Sequence, residues 1–403
     1  MRRVLFVDDE VRVLDGLKRM LRPQRLEWEM AFASSGNAAL ELMEASHFDV
    51  IVSDMRMPGM DGASLLTKVC DLYPQVVRIV LSGHTELFTA LRVAPVAHQF
   101  LAKPCDASTL RITVERACHL KDLLSDGSIC RTVGALRDLP SLPRTYHALT
   151  QALANPEASL PQLARIVEQD VGISAKILQL VNSAFFGVAR PITKIEHAVV
   201  YLGINTLKSL ALSLEIFSVF EPNAAMTGFS LEGLQTHARL TANIAARLPV
   251  PDYLKDIAVA AGMLHDVGKL ILAWKLPKRV KEQLAEAAKE HCPLHVVEER
   301  QHGFSHAEIG AYLLGLWGLP HVLVEAVALH HNPNRVPHQG FDLVTAVHAA
   351  NLLAHEVESR SPGASLDIEA DSNHDILAEL GSKEDVAAWR AMAAEMPVLL
   401  AVA

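Results

Sequence analysis

The spacing of short apolar runs over roughly the first 120 residues constrains the fold more than any other feature of the chain. "RVLFVDD" (residues 3–9) and "FDVIVSD" (48–54) are continuous apolar runs that stop on carboxylates. "WEMAFA", "VVRIVLSG" and "HQFLAKP" are three more runs of strand length, and amphipathic stretches such as "VRVLDGLKRML" and "NAALELMEA" separate them. A strand that is apolar on both faces must be covered on both faces, and helices between successive strands make those strands parallel. The spacing predicts an α/β, doubly wound (βα)5 domain with its ligand site at the carboxyl ends of the strands.

The residues at those ends are chemically matched. Asp8 and Asp9 close the first strand, Asp54 the third, Ser82 the fourth and Lys103 the fifth. Carboxylates converging on one crevice repel one another, and a hard cation such as Mg2+ relieves this by taking oxygen ligands. A lysine and a hydroxyl in the same crevice can steady a phosphoryl group carried by one aspartate. With "VDDE", "SDMRMPGMDG", "LSG" and "FLAKP" in that order, residues 1–122 resemble the receiver domains of two-component response regulators. The resemblance implies that Asp54 accepts a phosphoryl group from a sensor histidine kinase. Asp8, Asp9, Asp54 and the backbone carbonyl of Arg56 would hold Mg2+, and Ser82 and Lys103 would contact the phosphoryl oxygens. It also implies a cis Lys103-Pro104 bond and a conformation-reporting aromatic at Phe100. One departure is Pro95-Val96, where the pattern has a small Gly-Ala turn.

Residues 123–139 contain Gly127 and Gly134 and read as a linker with at most a short helix. Beyond Pro143 no strand-like alternation is visible, and helix starts recur: Ser159 with Pro161 and Gln162, then Ser305 with Glu308. Residues 140–358 are therefore expected to be all-α, with 359–403 a polar loop and one or two final helices. "LPSLPRTYHALTQALANPEASLPQLARIVEQDVGISAKILQLVNSAFFG" resembles the opening half of the HD-related output domain (HDOD), a helical module similar to HD phosphohydrolases.

Histidines supply the other pattern. His237, the His265-Asp266 pair, His306 and the His330-His331 pair follow one another at intervals of tens of residues, and Asn351 comes after them. Imidazole and carboxylate are the ligands that Fe, Mn or Zn accept without thiolates. The order is similar to that of the HD superfamily site, with Asn351 standing where that site has a late aspartate. That exchange leaves Asp266 as the anionic ligand and favours one metal over two. "NPNRVP" follows the double histidine in place of the Glu and Gly-Tyr-Pro signature of HD-GYP phosphodiesterases. Lys269 is placed to steady a phosphate oxygen, and Gly268 is expected to end the helix that carries the His-Asp pair.

Composition narrows the classes. The net charge is −9 with no dense basic block, which argues against direct nucleic-acid binding. The five cysteines are scattered and never spaced as C-x-x-C, as expected in a reducing cytoplasm. Apolar runs are interrupted by charge, and the start of the chain has no signal-peptide core, so neither membrane insertion nor export is expected. Two readings remain open. In one, a phosphorylation-regulated output domain acts by binding a signalling protein or a second copy of the chain. In the other, it is a receiver-gated, metal-dependent phosphohydrolase, similar to cyclic-dinucleotide phosphodiesterases, in which Asp266 and Lys269 serve catalysis.

Overall fold

The structure, a computed structural model, describes residues 1–82, 96–123, 127–136, 139–141, 143–155, 158–182, 188, 190–212, 217–219, 229–335, 341–359, 377 and 382–396. Two compact units emerge. The first comprises Met1–Asp138 with Gln179–Pro191 and Tyr312–Leu319, and the second Leu139–Leu178, Ile192–Ala311 and Pro320–Ala403.

In the first unit, strands β1 (Arg2–Val7), β2 (Trp28–Ala33), β3 (Val50–Asp54), β4 (Val77–Ser82) and β5 (Gln99–Ala102) form one parallel sheet in the order β2-β1-β3-β4-β5. Helices α1 (Val11–Met20), α2 (Gly36–Ala45), α3 (Gly62–Leu72) and α4 (Ala107–Leu123) connect or follow the strands. Val4 to Val7 and all of β3 are buried, which is why those runs carry no alternation. The strand order reverses between β1 and β3, and that switch point opens the crevice at the strand ends. The expected doubly wound α/β domain is present. The Pro95 departure lies outside the described residues.

The segment expected to be a linker contains helix α5 (Gly127–Gly134), docked on the sheet by a buried cation. Arg78, fully buried in β4, donates to the carbonyls of Pro74 (3.2 Å), Val76 (3.1 Å), Val96 (2.5 Å) and Gly134 (2.5 Å). The guanidinium also lies 2.9 Å from His98 Nε2.

The second unit is largely helical: α6 (Pro143–Ala154), α7 (Leu160–Val167), α8 (Val171–Val181), α9 (Ile195–Leu212), α10 (Leu231–Ala245), α11 (Lys255–Leu264), α12 (Val267–Lys275), α13 (Pro277–Glu290), α14 (Leu294–His302), α15 (His306–Leu316), α16 (His321–Leu329), α17 (Leu343–Ser359) and α18 (Lys383–Ala394). The C-terminal residues of α8, from Gln179, and of α15, from Tyr312, belong to the first unit. Ser159 caps α7 through Gln162, and Glu308 accepts from the Ser305 backbone and hydroxyl at the start of α15. The expectation of an all-α region needs one correction. β6 (Leu139–Ser141) and β7 (Phe217–Val219) pair in parallel, and three-residue strands are too short to show alternation in sequence. The "NSAFFG" turn, apart from Asn182, and most of the tail after Ser359 lie outside the described residues.

Helices α10, α11, α16 and α17 pack against one another and form the frame for the histidines. The stretch Asp252–Lys275, which contains the His-Asp pair, is long and apolar enough to cross a membrane, yet 78% of its most apolar window is buried within the protein. A helix buried all round has the same composition.

Candidate functional site

At the strand ends of the first unit, Asp8 follows β1 and Asp54 is the last residue of β3. They are 1% and 8% exposed. Lys103, just past β5, places its ammonium 2.7 Å from Asp8 Oδ2 and also on Asp54 Oδ1. Burial pulls the pKa of Lys103 down, but the hydrogen bonds and charges of Asp54 and Asp8 more than reverse this, so the group stays cationic. The Arg56 amide donates to Asp54 Oδ2 at 3.0 Å, and the Glu10 amide to Asp8 Oδ1 at 2.9 Å. Asp9 is half-buried beside them. Lys103-Pro104 is cis and Phe100 is buried. The Ser82 side chain lies outside the described residues. The glycines of "SDMRMPGMDG" have local reasons: Gly59 takes φ +78°, and a Cβ on Gly62 would sit 2.2 Å from the Asp54 carbonyl oxygen.

In the second unit the fold gathers the histidines. His265 and Asp266 sit at the corner between α11 and α12, His237 on α10, His306 at the start of α15, and His330 and His331 just past α16. Asp266, His306, His330 and His331 each offer a ligand atom within 4.8 Å of the others, and so do His237, His265 and Asp266. Asp266 belongs to both groups. Its Oδ1 lies 3.3 Å from His306 Nε2 and 3.6 Å from His330 Nε2, and its Oδ2 lies 3.3 Å from His265 Nε2 and 3.9 Å from His237 Nε2.

The ring orientations carry the chemical information. His265 Nδ1 bonds the Gly262 carbonyl at 2.8 Å, His330 Nδ1 the Val327 carbonyl at 2.7 Å and His306 Nδ1 the Glu298 carboxylate at 2.6 Å. A carbonyl or carboxylate accepts only, so each Nδ1 carries a proton, and the neutral rings of His265 and His330 present an Nε2 lone pair to Asp266 or its neighbours. His265 Nε2, His330 Nε2 and Asp266 Oδ1 are buried and make no hydrogen bond. Buried polar atoms without partners are rare, and three facing one another fit a cation. His331 Nε2 lies 2.9 Å from His306 Nε2, while its ring stacks on His295 at 3.9 Å.

Charge is distributed accordingly. Burial lowers the pKa of His330 to about 3 and holds His265 and His331 below the usual imidazole value, so all three stay neutral. Burial also lowers that of His306, but Glu298 outweighs it and raises the group to about 10, so without a metal its Nε2 also carries a proton, directed at His331 Nε2, which a bound cation would displace. For Asp266, burial opposes ionisation, while the surrounding imidazoles and Lys269 keep the carboxyl well below its usual range. The Lys269 ammonium sits 2.9 Å from Asp266 Oδ2 and takes that side of the carboxylate.

Gly268 does not end a helix. It is the second residue of α12, and its missing side chain lets α12 meet α15, because a Cβ there would lie 1.9 Å from the His306 carbonyl oxygen. Within "NPNRVP", Arg335 anchors the segment after the double histidine, pairing with Glu308 at 2.7 Å and with Glu299 at 3.0 Å. The sequence reading missed Glu298, His295, His355 and Glu358. Glu298 was hidden because adjacent glutamates on an amphipathic helix look like a solvated face, whereas this one is 2% exposed.

Two family models match the chain: the response regulator receiver domain over residues 4–115 and the HDOD domain over residues 139–333. An uncharacterized protein of Treponema pallidum (strain Nichols) is 28% identical over 235 residues, 56% of this chain and 44% of that protein. The hydrogenase transcriptional regulatory protein HoxA of Cupriavidus necator is 35% identical over 126 residues, 30% of this chain and 25% of HoxA. The chain thus spans less than half the length of these curated relatives. Among solved structures, the MmoQ response regulator of Methylococcus capsulatus str. Bath is 23% identical. That match covers 63% of this chain and 98% of MmoQ, with a TM-score of 0.46.

Proposed function

The chain belongs to the response regulators that join a receiver domain to an HDOD domain, and on that premise we propose that a phosphoryl group accepted by Asp54 sets the state of the helical output. The observation that supports this is the buried Asp8–Lys103–Asp54 bridge at the sheet's switch point. There the lysine can follow charge as it builds on Asp54. Asp8, Asp9 and the Arg56 carbonyl are the groups that would hold Mg2+, which neutralises the incoming phosphoryl oxygens. The donor is a sensor histidine kinase. The output acts by binding a downstream signalling protein or a second copy of the chain.

A metal in the output domain fits the residues present. Asp266 Oδ1 and the Nε2 atoms of His306, His330 and His331 would hold it, with His265 beside them, and bound there it would supply a Lewis acid. Lys269 already compensates Asp266 Oδ2, and His237 Nε2 is engaged by Asn351 Oδ1 at 2.8 Å. One cation satisfies the charge, so the two-metal clamp on phosphate is lacking, which favours the binding reading. The second reading, a receiver-gated phosphohydrolase, is favoured by the lone pairs converging on Asp266.

An acyl-phosphate donor with Mg2+ should add one phosphoryl group to the wild-type chain and none to Asp54→Asn, read by intact mass. Equal labelling of the variant would overturn the assignment. Purified protein should contain Fe, Mn or Zn that His330→Ala loses, and a metal-free wild type would sink the output metal. Metal-dependent hydrolysis of a phosphodiester, lost in His330→Ala, would establish the enzyme reading over the binding one.

A further inference from the structure

Helix α17 carries Asn351, His355 and Glu358 at spacings of four and three, which places them on one face. That helix packs against α10, where His237 sits. His237 also directs Nε2 to the Asp266 side, at 3.9 Å, but that nitrogen is taken by Asn351. His237 Nε2 lies 2.8 Å from Asn351 Oδ1, and its Nδ1 lies 2.9 Å from Glu358 Oε2. An amide oxygen and a carboxylate both accept only, so without a metal His237 carries a proton on each nitrogen; a metal at Nδ1 would displace the proton that bonds Glu358, while Nε2–H stays on Asn351. His355 Nδ1 lies 3.7 Å from the same Glu358 oxygen, and the His237 and His355 rings stack with centroids 4.3 Å apart. One ligand atom from each of His237, His355 and Glu358 falls within 4.8 Å of the other two.

We propose that His237 Nδ1, His355 Nδ1 and the Glu358 carboxylate form a divalent-metal site separate from the group around Asp266. The two sites share no ligand. Asn351 is what separates them: its amide oxygen fixes the His237 tautomer as a hydrogen-bond acceptor beside a metal ligand does, and aims Nδ1 at the new site. Two neutral imidazoles and one carboxylate leave a divalent ion with a single positive charge. The Glu358 side chain is 21% exposed, so water can reach the cluster and complete the coordination. Three N/O ligands with an open position suit Zn2+, and Fe2+ or Mn2+ accept the same donors. The same turn of α17 is anchored from α18, where Arg390 grips Glu356 with hydrogen bonds of 2.8 to 3.1 Å.

The test is zinc titration of the chelator-stripped full chain by calorimetry, comparing wild type with Glu358→Gln, His355→Ala and His330→Ala. Glu358→Gln and His355→Ala should each bind about one equivalent less than wild type, or bind it about tenfold or more weakly. His330→Ala should keep the equivalent that Glu358→Gln loses, so failure here and failure of the Asp266 metal are read from different variants. Glu358→Gln preserves shape, and an unchanged melting temperature in chelator shows that lost binding is not lost folding. Wild-type stoichiometry and affinity in Glu358→Gln would overturn the site and leave His237 and Glu358 as an ion pair only.

Discussion

Gly268 has no functional group, yet the distance between Asp266 and His306 depends on it. The place a Cβ would occupy is 1.9 Å from the His306 carbonyl oxygen, a backbone atom that cannot swing aside. Gly268→Ala must push α12 away from α15, so it should cost about 1–3 kcal/mol of stability and weaken metal retention together. Thermal melting and metal analysis of one preparation check both, and a variant with wild-type values for each would refute the close approach. Asn351 shows the same economy at residue scale. A neutral amide in place of a carboxylate accepts one hydrogen bond from His237 Nε2 and brings no charge, so Nε2 keeps its proton and Nδ1 is the nitrogen a metal can take.

Among the elements, α14 has a role that its sequence conceals. Its Glu298 accepts from both the backbone amide (2.9 Å) and Nδ1 (2.6 Å) of His306, so it fixes the start of α15 and the tautomer of the histidine there. Glu298→Gln keeps the shape but removes the charge, and should weaken metal binding about 10- to 100-fold with the helices intact. Competition with a chromophoric chelator measures this, and unchanged affinity would remove Glu298 from the site. In the first unit the elements announced themselves. β1, β3 and β5 end on or just before Asp8, Asp54 and Lys103, and the run of apolar residues before each is the buried strand that delivers it. Chain position there translates directly into spatial position, because parallel strands in one sheet all end at the same edge.

For the molecule as a whole, the fully buried Arg78 joins a strand to the helix that leaves the receiver. Arg78→Met would leave the carbonyls of Pro74, Val76, Val96 and Gly134 without this donor, at a cost of about 3 kcal/mol or more. The receiver's melting transition should fall, and hydrogen exchange in α5 should quicken with it. Protection of α5 equal to wild type would show that Arg78 does not hold it. By itself the sequence determined the doubly wound receiver, its acidic crevice with Lys103, the largely helical second half and the histidines placed around Asp266. The first three follow from periodicity and from residues at element ends, which are local properties of the chain, and the histidine set follows from its likeness in order to the HD superfamily site. Tertiary structure alone decided that α12 runs through Gly268, that Glu298 is buried, that Arg78 clasps Gly134, and that His237 faces Glu358 and His355 through its Nδ1. Those outcomes depend on which helix faces meet, and a glutamate or histidine on an amphipathic helix reads the same in sequence whether water or another helix lies against it.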